Sequence, residues 1–322
     1  MKHVNADRPP VRVSAGQRAR HGRARFWLDQ VRAQPLATLG AFLVIAWVLI
    51  AIFAPLIAPY DPLKGSFRLQ DLQLAPSLAH PFGTDDHGRD ILSRVIFGSR
   101  SVLLLAGIST LASLMCGAIV ALVSGYYGGA VDEILMRIAD AAMALPAVLL
   151  ALLILAMFGP GDLGLFTSTV IVFTPLVARV VRSAVLPLAD REFIAAAKLR
   201  GERGPAIMLR ELLPNLLGVL AVEGSIRLGY AIFLIASLGF LGVGVQPPTP
   251  DWGVMVSEAQ NYASVSPWMV IFPALAISTL VIGVNLVSDG VKQLMLSLEQ
   301  RGGDAPSPEQ PIPASAPEVA AS

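Results

Sequence analysis

The sequence predicts an all-α membrane protein with six transmembrane helices, and three observations predict it. Apolar residues make up 54% of the 322 and charged residues only 15%, where a soluble globular chain carries about 25% charged. Mean hydropathy is strongly positive at +0.65. Apolar runs of bilayer-spanning length recur along the chain, each bounded by charge, glycine or proline, and Lys and Arg collect on alternate connections between them.

The same composition excludes several classes. A net charge of +1 gives no electrostatic reason for a nucleic-acid partner. The single Cys116 sits inside an apolar run, so no disulfide framework or cysteine metal site exists, and a buried small hydrophobe is its expected role. His3, His21, His80 and His87 all fall outside the apolar runs and no HExxH occurs, so no metal or cofactor site is predicted. An intramembrane enzyme lacks a visible nucleophile and base at membrane depth.

In chain order, residues 1–34 form a basic tail with Arg8, Arg12, Arg18, Arg20, Arg23 and Arg25, read as an orientation signal that keeps this end cytoplasmic. The run 36–57 is span one, too long for the apolar core of a signal peptide. Residues 60–100 make a long polar excursion. Within it, Thr84 or Asp85 is expected to cap an amphipathic helix with Ile91, Leu92, Val95 and Ile96 on its apolar face, lying at the membrane surface. Such a capped, solvated helix start accounts for Asp85, Asp86, His87 and Asp90 better than a metal cluster does.

Span two is 102–124, and GYYGG at 125–129 is a turn. Span three, 134–158, carries Arg137 and Asp140 near its start and Pro146, which should kink it. Those charges suit a gate or substrate contact, or a snorkelling pair with each other. Span four, 165–186, holds Thr167, Ser168, Thr169 and Thr174, whose hydroxyls suit either a polar pathway or inter-helix hydrogen bonds. Span five, 216–243, contains Glu223 and Arg227, four residues apart on one helix face and so able to pair. Such a pair inside a membrane is a candidate gating or pathway site, or a structural ion pair. The prolines of QPPTPDWG at 246–253 forbid a helix there, and Trp252 and Trp268 suit an interfacial belt. Span six is 267–287, and the Pro-, Ala- and Ser-rich residues 301–322 are expected to be disordered. With both ends inside, the outer connections at 159–164 and 246–266 carry no Lys or Arg, while the 60–100 excursion breaks the pattern with five.

The most informative stretch joins spans four and five: EFIAAAKLRGERGPAIMLRELLPN, Glu192 to Asn215, within a loop spanning 187–215. Its alanine-rich first half has high helix propensity, Asp190 sits where an N-cap belongs, and Gly201 is a natural helix end. The expected product is a helix of about ten residues, with Phe193, Ile194, Ala197 and Gly201 on one face and a charged collar around it. An ordinary solvated loop is the competing reading. Ala195-Ala196-Ala197, then Gly201, then Leu213-Pro214 resembles the cytoplasmic EAA loop of ABC importer permeases, with alanine at 195 where the motif has glutamate. GTDDHGRDILSRVIFGSR at 83–100 and GFLGVGVQPPTPDWG at 239–253 are similar to segments of the dipeptide, oligopeptide and nickel permeases.

That resemblance covers residues 35–300 and implies the type I ABC importer transmembrane-domain fold, in the inner membrane. It implies a coupling helix that docks on an ATPase subunit, with Glu192, Phe193, Ala196, Ala197, Gly201, Leu213 and Pro214 as coupling residues. It further implies a heterodimer with a second permease subunit, two ATP-binding cassette ATPase subunits, and an extracytoplasmic substrate-binding protein. No GxxxxGK[ST] occurs, so ATP hydrolysis would belong to separate chains. The alternative is a secondary carrier using Glu223, Arg227 and Asp140 as its own coupling charges.

Overall fold

The computed structural model describes residues 34–303 except 67 and 247, so the basic tail and nearly all of the C-terminal tail lie outside the described residues. Among the described residues the chain is helical: α1 (Pro35–Ile52), α2 (Ala54–Ile57), α3 (Ile91–Tyr127), α4 (Gly129–Met143), α5 (Ala147–Phe158), α6 (Asp162–Ala189), α7 (Glu192–Leu199), α8 (Gly204–Ile207), α9 (Leu213–Phe240), α10 (Trp252–Ala259) and α11 (Trp268–Gly303). Five helical stretches are long and apolar enough to cross a membrane, and the pair α4–α5 makes a sixth if taken as one span.

The packing centre is α3 against α6. Every fourth residue of α3 from Ser109 through Ser113, Gly117 and Ala121 to Gly125 is buried, and Thr169, Phe173, Val177, Val181 and Val185 repeat at the same spacing on α6. Gly117 meets Val177 and Gly125 meets Val185, so the two helices run parallel in constant register. Small residues let the backbones approach closely, and in lipid this dispersion contact is a principal source of helix association. Cys116 falls beside this stripe and is exposed, not a buried small hydrophobe.

Some sequence expectations are corrected and others are met. The amphipathic segment at 91–96 is not a separate surface helix. Asp90, not Thr84 or Asp85, caps it through Ser93, and it continues without a break into span two. Ile91, Val95 and Ile96 are buried core residues, so the helix is pulled inward rather than laid on a bilayer surface. Span three is bent at Pro146, as expected, and sharply: α4 and α5 meet at 95° across Ala144-Leu145-Pro146, because Pro146 can supply no backbone N–H to the preceding turn. The helix that carries span five begins well before 216. Pro205 stands in the first turn of α8, and a π-helical turn, Met208–Leu212, carries the helix on into α9. That wide turn immediately precedes Pro214, which cannot donate to residue 210, so the register change absorbs the missing bond.

Trp252, expected at a membrane interface, is wholly buried. Its indole Nε1 donates to the carbonyl of Val95 at 2.9 Å, and its ring lies on Gly98, where no side chain would fit. Trp252, at the start of α10, thus docks that helix on α3 instead of resting on lipid. Of the span-four hydroxyls, Thr167 bonds the Leu163 carbonyl and Ser168 and Thr169 bond that of Leu165, while the buried Thr174 Oγ1 has no partner among the described residues.

Candidate coupling site and charged networks

The helix α7 projects between α6 and α8. Arg191, not Asp190, occupies its N-cap, and Asp190 instead closes α6. At its other end Gly201 has φ +75°, the left-handed conformation that favours glycine. There the Gly201 N–H donates to the Lys198 carbonyl at 3.0 Å and the Glu202 N–H to that of Ala197 at 3.2 Å, a Schellman closure.

One side of α7 is anchored. Ile194 and Ala197 are fully buried and share a core with Ile207, Leu212 and Leu216 from the following segment. Val177, Val181 and Val185 of α6 and Ala121 and Leu122 of α3 complete that core. Lys198 lies over the Tyr126 ring at 5.1 Å, and Gly204 sits close against Tyr126 and Tyr127 at the end of α3. The inner side of the projection is therefore packed toward the α3–α6 pair.

The other side faces outward. Glu192, Ala195, Ala196 and Leu199 are exposed at i, i+3, i+4 and i+7 spacing. Leu199 is 90% exposed, Phe193 37%, and Gly201 is open. Of the residues singled out from sequence, Glu192, Phe193, Ala196, Gly201 and Pro214 reach the surface. Leu213 is half-buried, and Ala197 points into the protein's own core. The sequence reading turned the helix toward Phe193, Ile194, Ala197 and Gly201, and so missed Leu199. The i+7 step from Glu192 to Leu199 was the signal that could have found it.

Two further charge groups frame the molecule. Glu223 Oε1 accepts from Arg227 Nε and Nη2, both at 2.6 Å, and both side chains are largely buried, so the two residues pair with each other. Asp140 pairs with Arg179 at 3.2 Å and Arg137 with Glu133 at 2.7 Å, so Arg137 and Asp140 do not pair together. At that end of the bundle Arg182 also clasps Asp132, tying α4 to α6.

On the opposite side, the buried Arg94 binds both Asp85 and Glu258, the latter at 3.1 Å. Arg89 reaches the same two carboxylates at 2.7 and 3.2 Å. The GTDDHGRD motif is thus a structural clamp that fastens the 84–94 corner to α10. Ligand atoms of Asp85, Asp86 and His87 lie within 4.8 Å of one another, but the Asp85 carboxylate is already taken by the two arginines. Asp251 caps α10 through the Val254 N–H at 3.1 Å, while its Oδ2 has no partner among the described residues. Burial, reinforced by Asp162, pushes this carboxyl up to about 6 despite the bonds from Val254 and Gly253.

A parallel helix pair, a bent span and a projecting short helix between two spans define the transmembrane domain of a type I ABC importer. The fold matches an inward-facing MetNI methionine ABC transporter with a TM-score of 0.53 at 17% identity, over 65% of this chain and 97% of that one. The chain belongs to the binding-protein-dependent transport system inner membrane component family, which matches residues 113–296. The N-terminal TM domain of oligopeptide transport permease C matches residues 24–81. It is 38% identical to the dipeptide transport system permease protein DppC of Alkalihalophilus pseudofirmus, over 83% of this chain and 87% of the relative. It is also 38% identical to the glutathione transport system permease protein GsiD of Escherichia coli, over 84% of this chain and 88% of the relative. This is a transmembrane permease subunit of an ABC importer, and the secondary-carrier alternative is not favoured.

Proposed function

We propose that this chain forms half of the translocation pathway of an ATP-driven importer in the cell's inner membrane, with both termini cytoplasmic and residues 35–300 as the transmembrane domain. A second permease subunit supplies the other half, two ATP-binding cassette ATPases sit beneath α7, and an extracytoplasmic binding protein delivers the solute. Given relatives named for dipeptides and glutathione, the solute is a peptide or a related small molecule.

The observation that carries this reading is the shared core of Ile194 and Ala197 with Val177, Val181 and Val185. A load applied to α7 would pass to α6 and α3 through these packed side chains. Glu192, Phe193, Ala196, Gly201 and Pro214 would meet the ATPase directly, while Ala197 and Leu213 would hold the docking surface in place. Closure of the ATPases would then tilt the parallel helix pair and switch the pathway between outward- and inward-facing states. Direction is set by the difference in binding energy between those states. Glu223, Arg227 and Asp140 are assigned to the pathway or its gate, where paired charges at membrane depth are tolerated.

The test is uptake by proteoliposomes holding the whole complex. Transport that requires ATP and the ATPase chains supports the reading. Transport driven by an ion gradient without nucleotide or ATPases would instead make the protein a secondary carrier.

A further inference from the structure

Where α1 begins, it packs closely against α11. A Cβ added at Gly40 would stand 2.5 Å from Leu286 Cβ, one at Gly283 2.9 Å from Leu43 Cβ, and one at Gly290 2.5 Å from Ala37 Cβ. Beside this seam opens a cleft of about 520 Å³, a size that suits a small ligand or a headgroup. Its walls include Leu36, Leu286 and Leu296, of which Leu36 and Leu296 are exposed. Of the eighteen residues of α1 only Gly40 and Ala51 are buried, so this helix forms an edge of the bundle and leaves the cleft open to lipid.

The cleft also carries charge of both signs. Asp289 and Lys292 line it, three residues apart on one face of α11, and both are exposed. Neither forms an ion pair among the described residues, with each other or with a third group. The amides of Gln34 and Gln293 add further donors at the same rim. Glu223 shares a neighbouring cleft with Lys292 but is already taken by Arg227. One carboxylate and one ammonium thus stand uncommitted beside apolar walls, just past the end of the apolar run at 287, the depth at which headgroups lie.

We propose that the cleft between α1 and α11 binds a phospholipid with a primary-amine headgroup, of the phosphatidylethanolamine class. The phosphate pairs with Lys292, the ammonium donates to Asp289, and the acyl chains follow Leu36 and Leu286 into the bilayer. Lys292 alone would favour any anionic headgroup; Asp289 repels a headgroup that lacks a cation, so the two together select a zwitterion. A lipid seated this way ties the start of α1 to α11. The inference needs only the spans, not the coupling role of α7, and on the topology proposed above the leaflet is the inner one.

The experiment measures equilibrium binding of dioleoyl phosphatidylethanolamine, phosphatidylcholine and phosphatidylglycerol to the full-length chain in its assembled complex, delipidated in a neutral detergent. Phosphatidylethanolamine should bind roughly fivefold tighter than phosphatidylglycerol, the worth of one charge contact at a headgroup. Phosphatidylcholine should fall between them, because its quaternary cation has no N–H to give Asp289. Lys292→Gln should weaken phosphatidylethanolamine roughly fivefold. Asp289→Asn should abolish the preference for it, and Asp289→Lys should reverse that preference in favour of phosphatidylglycerol. Both positions are exposed, so thermal unfolding without added lipid should match that of the unaltered complex.

Equal binding of the three lipids, or a preference that Asp289→Lys leaves unchanged, overturns the proposal. A preference of the unaltered complex for phosphatidylglycerol overturns it too, since Asp289 then takes no part. If phosphatidylethanolamine binds only after residues 1–33 are removed, the chain's own N-terminal segment holds the cleft and the lipid site is likewise refuted.

Discussion

Replacing Gly117 by alanine should destabilise this protein, although alanine is the better helix former by about 1 kcal/mol. A Cβ at position 117 would stand 2.5 Å from Val177 Cγ1, 2.6 Å from Val177 Cβ and 3.1 Å from the Ala178 nitrogen. Ordinary contact begins at 3.4 Å, so α3 and α6 would have to separate by about 0.9 Å (3.4 less 2.5). Neither Val177 Cβ nor the Ala178 backbone can turn aside, and the cost belongs at the upper end of the range for overpacked cores, roughly 2–3 kcal/mol. Net of propensity the loss is roughly 1–2 kcal/mol. Gly107 of the same helix is the control, since a Cβ there meets nothing within 4 Å, and Gly107→Ala should gain about 1 kcal/mol. At roughly 2–4 °C per kcal/mol the two variants should differ by several degrees in thermal unfolding of the purified protein, with the unaltered chain between them. Equal midpoints for the two variants would refute the parallel zipper as the source of rigidity.

The remaining predictions concern the loops and charges. Asp251→Asn keeps the acceptor for the Val254 N–H and removes the buried charge. An acid whose folded pKa is raised from 3.8 to about 6 contributes stability that is fully present below 3.8 and lost as pH rises through 6. The asparagine variant should therefore be more stable at pH 7.5, by up to about 3 kcal/mol for a rise of two units, with no advantage at pH 4; melting curves at the two pH values decide it. Arg227→Leu should cost roughly 3–5 kcal/mol by stranding the Glu223 carboxylate, and adding Glu223→Leu should recover most of it in a double-mutant cycle. Gly201→Val strains a residue at φ +75° by about 1–2 kcal/mol and should leave the complex assembled while ATP hydrolysis continues without uptake. Normal coupled transport by that variant would remove α7 from the mechanism.

What the sequence reveals and what it conceals follow from the range of the interactions involved. Spans show as apolar runs because lipid contact is a one-residue property, and the end of α7 at Gly201 is legible because a left-handed closure needs a particular residue at a particular place. The direction in which α7 faces is not legible locally. Phe193 and Ile194 differ little in hydrophobicity, yet Ile194 is buried and Phe193 is not, because Ile194 turns toward an apolar cluster that also draws on α3, α6 and the segment after α7. Trp252 shows the same limit: a tryptophan beside prolines fits a membrane interface by composition, and only Gly98, over 150 positions earlier, opens the space that takes its ring. Between these cases lies the α3 stripe, in which Ser109, Ser113, Gly117, Ala121 and Gly125 recur every four residues and so mark a close helix contact in the sequence itself. Its partner could not be read there, since the valines of α6 resemble any lipid-facing run until the register with α3 is known. The coupling surface inherits this ambiguity. Its existence is a local pattern, while the face it shows to an ATPase is decided by which neighbours bury the other side.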